Sequence, residues 1–318
     1  IDKIEENEKN RFLNPALDKS FHSRAFLKIQ DGCNNNCTYC KVHIVRGEEV
    51  SLSYDKIIDS LYRITDAGFN EVVLTGINIA KYNYYNINFS TLLKNLIKIF
   101  PNLIFQLSSI EINNLDNEFF NIIKQPNIKP YFHLPLQSGS DFILSLMNRK
   151  YKVNEYIDII NKLKDNRPDS FLSTDIIVGF PQENEKTIME TLKVVLNVSF
   201  HHLHLFPFSK RYGTEAYKMK ETLSPKEKSY YIERLNKIVK NNKNKYINSF
   251  IGKKDYFIIE KIEKTIDKYI ILGRSYHNIL IKSFLYDKFN YYKKGDYLPV
   301  YIYGKENDKL IAKIIEKK

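Results

Sequence analysis

The three cysteines of this 318-residue chain stand in one short stretch, Asp31-Gly-Cys-Asn-Asn-Asn-Cys-Thr-Tyr-Cys40. The spacing is C-x3-C-x2-C, with Cys33, Cys37 and Cys40 on one loop. Three thiolates so placed can ligate three irons of a [4Fe–4S] cluster, which leaves the fourth iron open to chelate a small molecule. Because three cysteines are too few for a disulfide scaffold, we predict a cluster with one open iron.

A zinc ion is the main alternative occupant of this loop. Closed zinc sites use four ligands, and His43 is a possible fourth. The tight spacing of His43 after Cys40 makes zinc the weaker interpretation. Three buried free thiols form the purely structural alternative, which the half-polar character of the loop disfavours.

Further polar or small residues follow the predicted strands at the ends where a β/α fold binds its ligands. Each has an ordinary structural interpretation as well. Gly76 could only close a turn, and Asn78 could only cap a helix. Glu111 and Asp175 could hold ribose hydroxyls or pair with Arg149. As a set at strand ends these residues favour a binding site, and the set also includes His133, Gln137 and Ser138.

Strands alternating with helices must position these residues. Six short apolar strands are predicted at 25–29, 71–74, 103–107, 131–136, 171–178 and 201–206. Stretches with helical spacing of apolar residues separate them, as at 54–67 and 185–198. Six units favour an α/β fold with a partial TIM-like barrel, and a doubly wound open sheet is the alternative. Histidines 201, 202 and 204 alternate along the last strand, so we interpret them as pocket-lining or edge residues rather than ligands.

The remaining segments differ in character from the barrel at 21–217. Residues 1–20 are polar and predict a linker or extended arm. Residues 218–250 predict a strongly basic connecting helix. Residues 251–318 predict a small antiparallel, OB-like β domain, with strands at 256–262, 269–272, 279–284 and 300–303 and turns at Gly273, Gly295 and Gly304. Its aromatic residues could stack on bases or fill the core, and they are Tyr269, Tyr276, Phe284 and Tyr286.

The positive charge is confined to the last third of the chain. Of 49 Lys and Arg and 37 Asp and Glu, residues 1–217 hold 25 of each kind, so 218–318 hold 24 basic and 12 acidic residues. An AT-rich genome would explain the preference for Lys but not this asymmetry, which favours a nucleic-acid partner. With no apolar run of about 18 residues and no signal peptide, we expect a cytoplasmic protein with no membrane partner.

The cysteine loop after the first strand of a β/α barrel resembles the radical S-adenosylmethionine (SAM) superfamily. In that superfamily the open iron binds the amino and carboxylate groups of SAM. One electron from the cluster then cleaves SAM to methionine and a 5′-deoxyadenosyl radical. The resemblance implies that Cys33, Cys37 and Cys40 are the cluster ligands and that Tyr39 flanks the adenine of SAM.

Longer stretches resemble the tRNA and ribosomal-protein methylthiotransferases within that superfamily, in order over residues 21–318. The resemblance implies cofactor-binding roles for Gly76, Asn78, Glu111, Gln137, Ser138 and Asp175. It rests on stretches that begin at Arg24, Val72, Phe132, Met147, Thr174 and Phe206 and include Phe-His-Leu-Pro-Leu-Gln-Ser-Gly-Ser140. In the β domain, Gly273-Arg-Ser-Tyr-His-Asn278 resembles a TRAM domain, an RNA-binding module.

Within that family, the entry Lys28-Ile-Gln-Asp-Gly and the stretch Ser108-Ser-Ile-Glu111 are most similar to one branch. It adds a 2-methylthio group to N6-threonylcarbamoyladenosine beside the anticodon of tRNAs. The isopentenyladenosine branch is the nearest alternative. The ribosomal-protein branch fits less well, because a basic helix and a β domain suit RNA. The implied partners are a tRNA anticodon stem-loop, an electron donor and a sulfur donor.

Members of this family also carry an N-terminal domain with three more cysteines and a second [4Fe–4S] cluster that supplies or carries sulfur. We expect that the present chain starts in the linker after that domain. The domain would then be on a separate chain, lost by truncation, or genuinely absent. Three hypotheses follow: a methylthiotransferase or its catalytic portion, a tRNA-binding relic, and a different radical SAM modifier of RNA that uses one cluster.

Overall fold

Two β structures, one open and one closed, make up the described part of the chain. The computed structural model describes residues 11–13, 17–286 and 292–315. The predicted arm 1–20 therefore lies outside the described residues except at 11–13 and 17–20. In the described ranges, no helix combines the length and apolar character needed to cross a bilayer.

The first structure is a partial β/α barrel. Its strands are β1 (Ala25–Lys28), β2 (Gln30–Asp31), β3 (Val50–Ser51), β4 (Glu71–Thr75), β5 (Asn83–Tyr84), β6 (Ile87–Asn88), β7 (Ile104–Leu107), β8 (Tyr131–His133), β9 (Phe171–Val178) and β10 (His202–Pro207). β1, β4 and β7 form one parallel sheet, and β8, β9 and β10 form another. Bridges at Phe105–Ile128 and Ser109–His133 connect the two sheets.

The six predicted strands of the barrel are thus confirmed. Their order never reverses along the chain, which excludes the doubly wound alternative. The largest difference in bounds is at β8, which ends at His133 rather than residue 136. Pro135 has no N–H to donate, and Gln137 has a positive φ of 68°. The stretch after His133 therefore leaves the strand and turns over the barrel mouth.

Helices cover the outside of this barrel. They are α1 (Val42–Arg46), α2 (Tyr54–Asp66), α3 (Phe89–Ile99), α4 (Asn117–Ile122), α5 (Asp141–Leu146), α6 (Val153–Asn166) and α7 (Glu185–Val198), followed by α8 (Pro225–Asn248). α2 buries Ile57, Leu61 and Ile64, an i, i+4, i+7 stripe against the sheet. α8 begins at a capping box in which Ser224 and Glu227 bond each other's backbone N–H groups, with Pro225 in its first turn.

The second structure is a closed barrel of five strands. They are β11 (Lys254–Lys264), β12 (Tyr269–Ser275), β13 (Leu280–Leu285), β14 (Tyr297–Glu306) and β15 (Lys309–Ile314). The predicted antiparallel character holds for four of the five strand pairings, and only β13 and β15 pair in parallel. An odd number of strands cannot alternate in direction all the way around a ring. β15 is also an element that the sequence analysis did not predict.

Two of the three predicted turn glycines lie inside strands instead. Gly273 lies in β12, where an added Cβ would be 1.9 Å from the carbonyl oxygen of Ile258, beside a shift in register. Gly304 lies in β14 at a second register shift. Such irregularities give a small barrel its curvature. Gly295, at a φ of 88°, is in a turn as predicted.

Polar side chains join the two barrels. The Tyr276 hydroxyl accepts a hydrogen bond from Arg167 at 2.7 Å and donates to the Pro126 carbonyl at 2.7 Å. His277 lies 3.0 Å from Asp169 of the first barrel and 2.9 Å from Asp255 of the second. Burial alone would lower the pKa of His277, but the two carboxylates outweigh it and raise that pKa. Tyr276 is therefore an anchor between the barrels rather than a free surface ring.

Candidate functional site

The cysteine loop leaves the barrel mouth after β1 and returns at β3. At its base β2 pairs with β3, and the Cys33 N–H donates to the Gly47 carbonyl at 3.1 Å. Gly32 has a φ of 72°, and a Cβ there would be 1.9 Å from the Glu48 carbonyl oxygen. Only glycine fits this close approach of two backbones. The two ends of the loop are thereby held together.

The other side of the loop docks on the segment that follows α5. The Thr38 N–H donates to the Met147 carbonyl at 3.2 Å, and the Thr38 hydroxyl donates to the Leu146 carbonyl at 2.8 Å. Asn148, at a φ of 56°, donates from its amide to the Asn36 carbonyl at 2.8 Å. The cysteines are thus fixed between two parts of the barrel that are more than 100 residues apart in sequence.

Each cysteine sulfur accepts one hydrogen bond. The Asn35 N–H lies 3.4 Å from the Cys33 sulfur, and the Val42 N–H lies 3.4 Å from the Cys40 sulfur. The third donor is the Arg149 Nη1, 3.5 Å from the Cys37 sulfur. Hydrogen bonds from backbone amides and a cation to sulfur are the contacts that stabilise thiolate ligands of iron–sulfur clusters.

Burial works against thiolates at this loop in the absence of a metal centre. It raises the pKa of Cys33 to about 11, and it also raises the pKa of Cys37 against the opposing effect of Arg149. Positive charge from a metal centre would offset this cost of burying thiolates. The donors and the burial therefore fit a cluster held by three cysteines.

The spacing of the sulfurs also bears on the zinc alternative. One set of His, Cys, Asp or Glu ligand atoms within 4.8 Å of one another occurs among the described residues, and it is His133, Asp175 and His204. In that same described part, the three cysteines with His43 do not form so compact a set. Four ligands around one zinc ion at about 2.0–2.3 Å require such compactness. The loop thus fits a larger cluster better than a single ion.

A polar network borders the cysteine loop and includes two of the predicted residues. Glu111 accepts from Arg149 at 2.7 Å and from the Asn78 amide at 2.9 Å. It also accepts from the amide of Asn35, which lies in the cysteine loop. The Asn78 side chain makes no cap hydrogen bond, so its capping interpretation does not hold. Arg149 is buried, and its Nη2 atom has no hydrogen-bond partner.

A cavity of about 280 Å³ opens beside Cys40. Four predicted residues line it, namely Tyr39, Cys40, Gln137 and Asp175. The Tyr39 ring packs edge-on against Phe180 at 6.4 Å, which holds it at the cavity wall. This arrangement gives a small molecule access to one side of the cysteine loop, with an aromatic face and two polar side chains around it.

The other two predicted residues lie beneath the site rather than in its wall. A Cβ at Gly76 would be 2.8 Å from the Gln30 carbonyl oxygen, so Gly76 allows close packing of the turn after β4. Gln30 in turn accepts from the Asn78 N–H at 2.9 Å. Ser138 is fully buried, and its hydroxyl lies 3.5 Å from that of Thr191 in α7. The geometry gives these two residues supporting contacts.

The three histidines around the start of β10 divide as alternation predicts. His202 and His204 contact each other, with ring centroids 4.4 Å apart, and line a second cavity at the opposite end of the barrel. His201 points the other way, and its Nδ1 accepts from the Leu172 N–H at 2.9 Å. His133 Nε2 lies 3.2 Å from an Asp175 oxygen. Asp175 therefore pairs with His133, whereas Arg149 pairs with Glu111.

Sequence reasoning missed two participants in this site. Arg149 was considered only as a structural partner of the carboxylates, although it also contacts the Cys37 sulfur. Asn35, one of three consecutive asparagines between cysteines, connects the loop to Glu111. A signal for Arg149 was present, since it follows α5 in a stretch with a positive-φ asparagine. Nothing in the sequence distinguishes Asn35 from its two neighbours.

A family model described as the Radical SAM superfamily matches residues 27–195. The chain belongs to the radical SAM superfamily. The match begins in β1 and includes the cysteine loop and the cavity residues up to α7. The family confirms the predicted cofactors of this barrel, a [4Fe–4S] cluster and SAM.

Relatives with assigned names show which members of the superfamily the chain is similar to. The chain is 37% identical over 254 residues to the threonylcarbamoyladenosine tRNA methylthiotransferase MtaB of Aquifex aeolicus, covering 79% of this chain and 62% of the relative. It is 35% identical to the tRNA-2-methylthio-N(6)-dimethylallyladenosine synthase of Acetivibrio thermocellus, covering 84% and 56%. The predicted MtaB-like radical SAM sequence is thus confirmed. The chain spans less than two thirds of the length of either relative.

Solved structures support the fold of the first barrel. Coproporphyrinogen III oxidase (HemN) of Escherichia coli, a radical SAM enzyme, matches with a TM-score of 0.52 at 12% identity over 78% of this chain and 65% of that one. The methyltransferase TsrM of Kitasatospora setae matches with a TM-score of 0.52 at 11% identity over 60% and 35%. At such identities the similarity concerns the TIM-like architecture alone.

Proposed function

We propose that this chain is the radical-generating and RNA-binding portion of a tRNA methylthiotransferase. The proposed reaction adds a 2-methylthio group to N6-threonylcarbamoyladenosine beside the anticodon. The observation that carries it is the cysteine loop with a hydrogen-bond donor on each sulfur, beside a cavity lined by Tyr39 and Asp175. The sequence similarity to several relatives named MtaB, at 31–37% identity, supports the choice of base.

In this proposal Cys33, Cys37 and Cys40 hold the cluster, and the cavity beside Cys40 receives SAM. Tyr39 would lie against the adenine of SAM. Gln137 and Asp175 would bind its polar groups, because both line the same cavity. Asn78 and Glu111 share a hydrogen bond of 2.9 Å. In this proposal they would bind the cofactor from the other side of the cysteine loop. Gly76 and Ser138 would support the turns that carry these side chains.

The chemistry explains why such a site is needed. C2 of adenine carries an unactivated C–H bond that no side chain of ordinary pKa can deprotonate. When bound, the cluster and SAM supply a carbon radical that can remove that hydrogen. The protein must exclude water and hold the base in place. The buried Phe180 and Phe208 beside Tyr39 provide an apolar wall for this purpose.

The basic helix and the closed β barrel form the proposed RNA-binding part. α8 contains seven Lys or Arg residues and two Glu residues. Its side chains Tyr231, Leu235 and Val239 are buried against the first barrel. On the β barrel, Lys268 lies 5.1 Å from the Phe284 ring centre and 6.0 Å from that of Tyr286. Lysines beside aromatic rings can bind nucleic acid, because the cations attract phosphates and the rings stack on bases. We propose that 251–318 is a TRAM-like, OB-like domain, after the barrel at 21–217 and the helix at 218–250.

The proposed reaction implies further partners. A reductant must supply the electron, and a sulfur donor must supply the sulfur. The second [4Fe–4S] cluster expected for the family would be held by an N-terminal domain, in the same protein or on a separate chain. A tRNA substrate would place the reaction in the cytoplasm.

Nucleoside analysis of tRNA tests this function. The gene is deleted, and the strain is complemented with the native gene or with one carrying Cys37→Ala. Mass spectrometry of digested tRNA is expected to show loss of 2-methylthio-N6-threonylcarbamoyladenosine on deletion. The native gene should restore it and the variant should not. An unchanged 2-methylthio-N6-threonylcarbamoyladenosine peak in the deletion strain would contradict the proposal and favour a tRNA-binding relic.

The dimethylallyladenosine (isopentenyladenosine) branch is the second candidate, because relatives with that name match at 33–35% identity. The same digest distinguishes the two. Loss of the 2-methylthio derivative of dimethylallyladenosine, with the threonylcarbamoyl derivative unchanged, would select this branch. A new or missing nucleoside of another mass would indicate a different radical SAM modification of RNA.

A further inference from the structure

Three metal-ligating side chains meet inside the first barrel, apart from the cysteine loop. They belong to three adjacent parallel strands: His133 is the last residue of β8, Asp175 lies in β9 and His204 lies in β10. Asp175 and His204 are direct partners in the strand register. Their side chains therefore point to the same face of the sheet, and His133 joins them from the neighbouring strand.

The distances between the ligand atoms suit one ion. One imidazole nitrogen from each histidine and one Asp175 oxygen all lie within 4.8 Å of one another. The His133 Nε2 atom is 3.2 Å from the Asp175 oxygen. Ligands bound at about 2.0–2.2 Å in tetrahedral geometry are separated by about 3.3–3.6 Å. Only small side-chain shifts would place all three atoms around a common centre.

A second layer of hydrogen bonds orients His133. Its Nδ1 atom lies 2.7 Å from the Ser173 hydroxyl, which lies 3.2 Å from the Tyr131 hydroxyl. When Nδ1 carries the proton and donates it to Ser173, the Nε2 lone pair faces Asp175 and His204. Fixing the distal nitrogen of a histidine in this way is the usual support of a metal ligand.

The site is accessible to an ion from the cavity of about 410 Å³ between the two barrels. His204 is exposed and lines that cavity, while Asp175 also lines the cavity beside Cys40. The nearby cations are neutralised by carboxylates. Lys243 lies 2.9 Å from Asp308, and the Arg24 and Arg274 side chains each lie 3.4 Å from Glu260. They therefore oppose a bound dication only weakly.

We propose that His133, Asp175 and His204 bind a divalent transition-metal ion such as Zn²⁺ or Fe²⁺. Two imidazoles and one carboxylate suit these ions, and three protein ligands leave positions open for water or a substrate group. The site is separate from the cysteine loop but shares Asp175 with the cavity beside Cys40. It revises the interpretation of His204 as a cavity-lining residue only. The inference rests on these side chains and not on the proposed function.

Cobalt binding tests this site, since Co²⁺ takes the same ligands and absorbs visible light. The full chain carrying Cys33→Ala, Cys37→Ala and Cys40→Ala is loaded with Co²⁺, desalted and measured by metal analysis and absorption spectroscopy. One Co²⁺ per chain is expected. His204→Ala should weaken binding by more than about 100-fold, and Ser173→Ala by about 10- to 100-fold, as for other losses around a metal. His22→Ala is the matched control, because His22 is exposed and lies far from the three proposed ligands in the sequence.

A second measurement covers the case in which the triple cysteine variant does not fold. In the unmodified chain, His204→Ala is expected to remove one equivalent of Co²⁺ while the thiolate charge-transfer absorption stays the same. His204 is exposed, so this variant should fold normally. Equal Co²⁺ content and spectra in the unmodified chain and the His204→Ala variant would overturn the proposal. The same holds if His22→Ala causes an equal loss.

Discussion

The Nη1 atom of Arg149 lies 2.7 Å from an Oε1 atom of Glu111. The same nitrogen lies 3.5 Å from the Cys37 sulfur, so one guanidinium connects the cysteine loop to the carboxylate network. Arg149 is nearly fully buried, and Tyr151 accepts from its Nε at 3.2 Å. The side chain thus serves as a positioning residue for both the sulfur and Glu111.

Replacing Arg149 with Gln should impair cofactor chemistry without abolishing cluster binding. The change removes the positive charge beside the Cys37 sulfur and leaves Glu111 without its cationic partner. Outer-shell changes of this kind cost about 10- to 100-fold in activity. The measurement is 5′-deoxyadenosine formation from SAM, together with the cluster potential followed by EPR. The potential should become more negative, because a hydrogen bond to sulfur is lost.

The control for this experiment is the neighbouring Lys150→Ala, which removes an exposed cation of the same segment. Its potential and turnover should equal those of the native chain. Arg149→Lys should recover part of the potential shift, because it restores the charge but not the forked geometry. If Arg149→Gln changed turnover but left the potential unchanged, Arg149 would not act on the cluster through Cys37.

Truncating the buried ion pair of Lys129 and Glu71 should lower the free energy of unfolding more than truncating an exposed ion pair. Both side chains are fully buried, and Lys129 bonds both Glu71 oxygens at 2.9 Å. Lys129→Met leaves the carboxylate buried with Arg24 at 3.6 Å as its remaining cation. We expect a loss of about 3–5 kcal/mol in the free energy of unfolding, measured by urea denaturation.

A surface pair serves as the matched control for Lys129. Lys94 lies 2.7 Å from Glu118, and the Lys94 side chain is exposed while that of Glu118 is half-buried. Lys94→Met should cost less than about 1 kcal/mol. The double variant Lys129→Met with Glu71→Leu should recover much of the lost stability. Equal effects at the buried and the exposed pair would refute the account of the barrel core.

Glu183 should make stability fall as pH rises. The side chain is fully buried, accepts from the Gly179 N–H and has one oxygen without a partner. Burial raises its pKa to about 7 from an ordinary value of 4.5. The stabilising effect of the neutral acid is complete below about pH 4.5 and is lost as pH rises through about 7. The loss is about 3 kcal/mol by pH 8.

Glu183→Gln should remove this dependence, because a neutral amide can still accept from the Gly179 N–H. Urea denaturation at pH 5 and pH 8 measures the effect. Relative to the native chain, the variant should gain about 2–3 kcal/mol between the two pH values. Glu185→Gln, at an exposed acid two residues later, should show no such change. A Glu183→Gln difference that stays constant with pH would show that this carboxyl does not titrate in the folded state.

The β barrel should contribute to RNA affinity through lysines beside aromatic rings. Lys268 and Lys282 lie 5.1 and 5.2 Å from the Phe284 ring centre. Replacing both lysines with Ala should weaken tRNA binding and reduce the salt slope of the binding constant by about 1–2. The control removes the same charge from the exposed barrel residues Lys186 and Lys193. A loss of equal size in that control would assign the effect to net charge rather than to this surface.

Local patterns predicted much of the fold. The strand 171–178 and the helix 185–198 have the predicted bounds, because Gly179 and Pro181 end the strand and an asparagine caps the helix. β15 was missed, since the short stretch Lys309–Ile314 is stabilised by pairing with β14 and β13. Gly273 and Gly304 were interpreted as turns, because the sequence does not show which strand approaches a glycine.

The candidate site was predictable in the same uneven way. The cysteine spacing is a local pattern and indicates its chemistry directly. Contacts such as Glu111 with Asn35, or His133 with Asp175, arise only when separate strands end at one edge. From the sequence, Arg149 could pair with Glu111 or with Asp175. The folded barrel brings it to Glu111, while Asp175 lies beside His133.

Anaerobic reconstitution with iron and sulfide, followed by reduction in the presence of SAM, shows whether the cysteine loop holds a catalytic cluster. We expect a brown protein with about four irons at the cysteine loop and formation of 5′-deoxyadenosine. Cys33→Ala, Cys37→Ala or Cys40→Ala should each lose the cluster and the product. A colourless native protein with intact thiols, or a single zinc bound by the three cysteines, would contradict it.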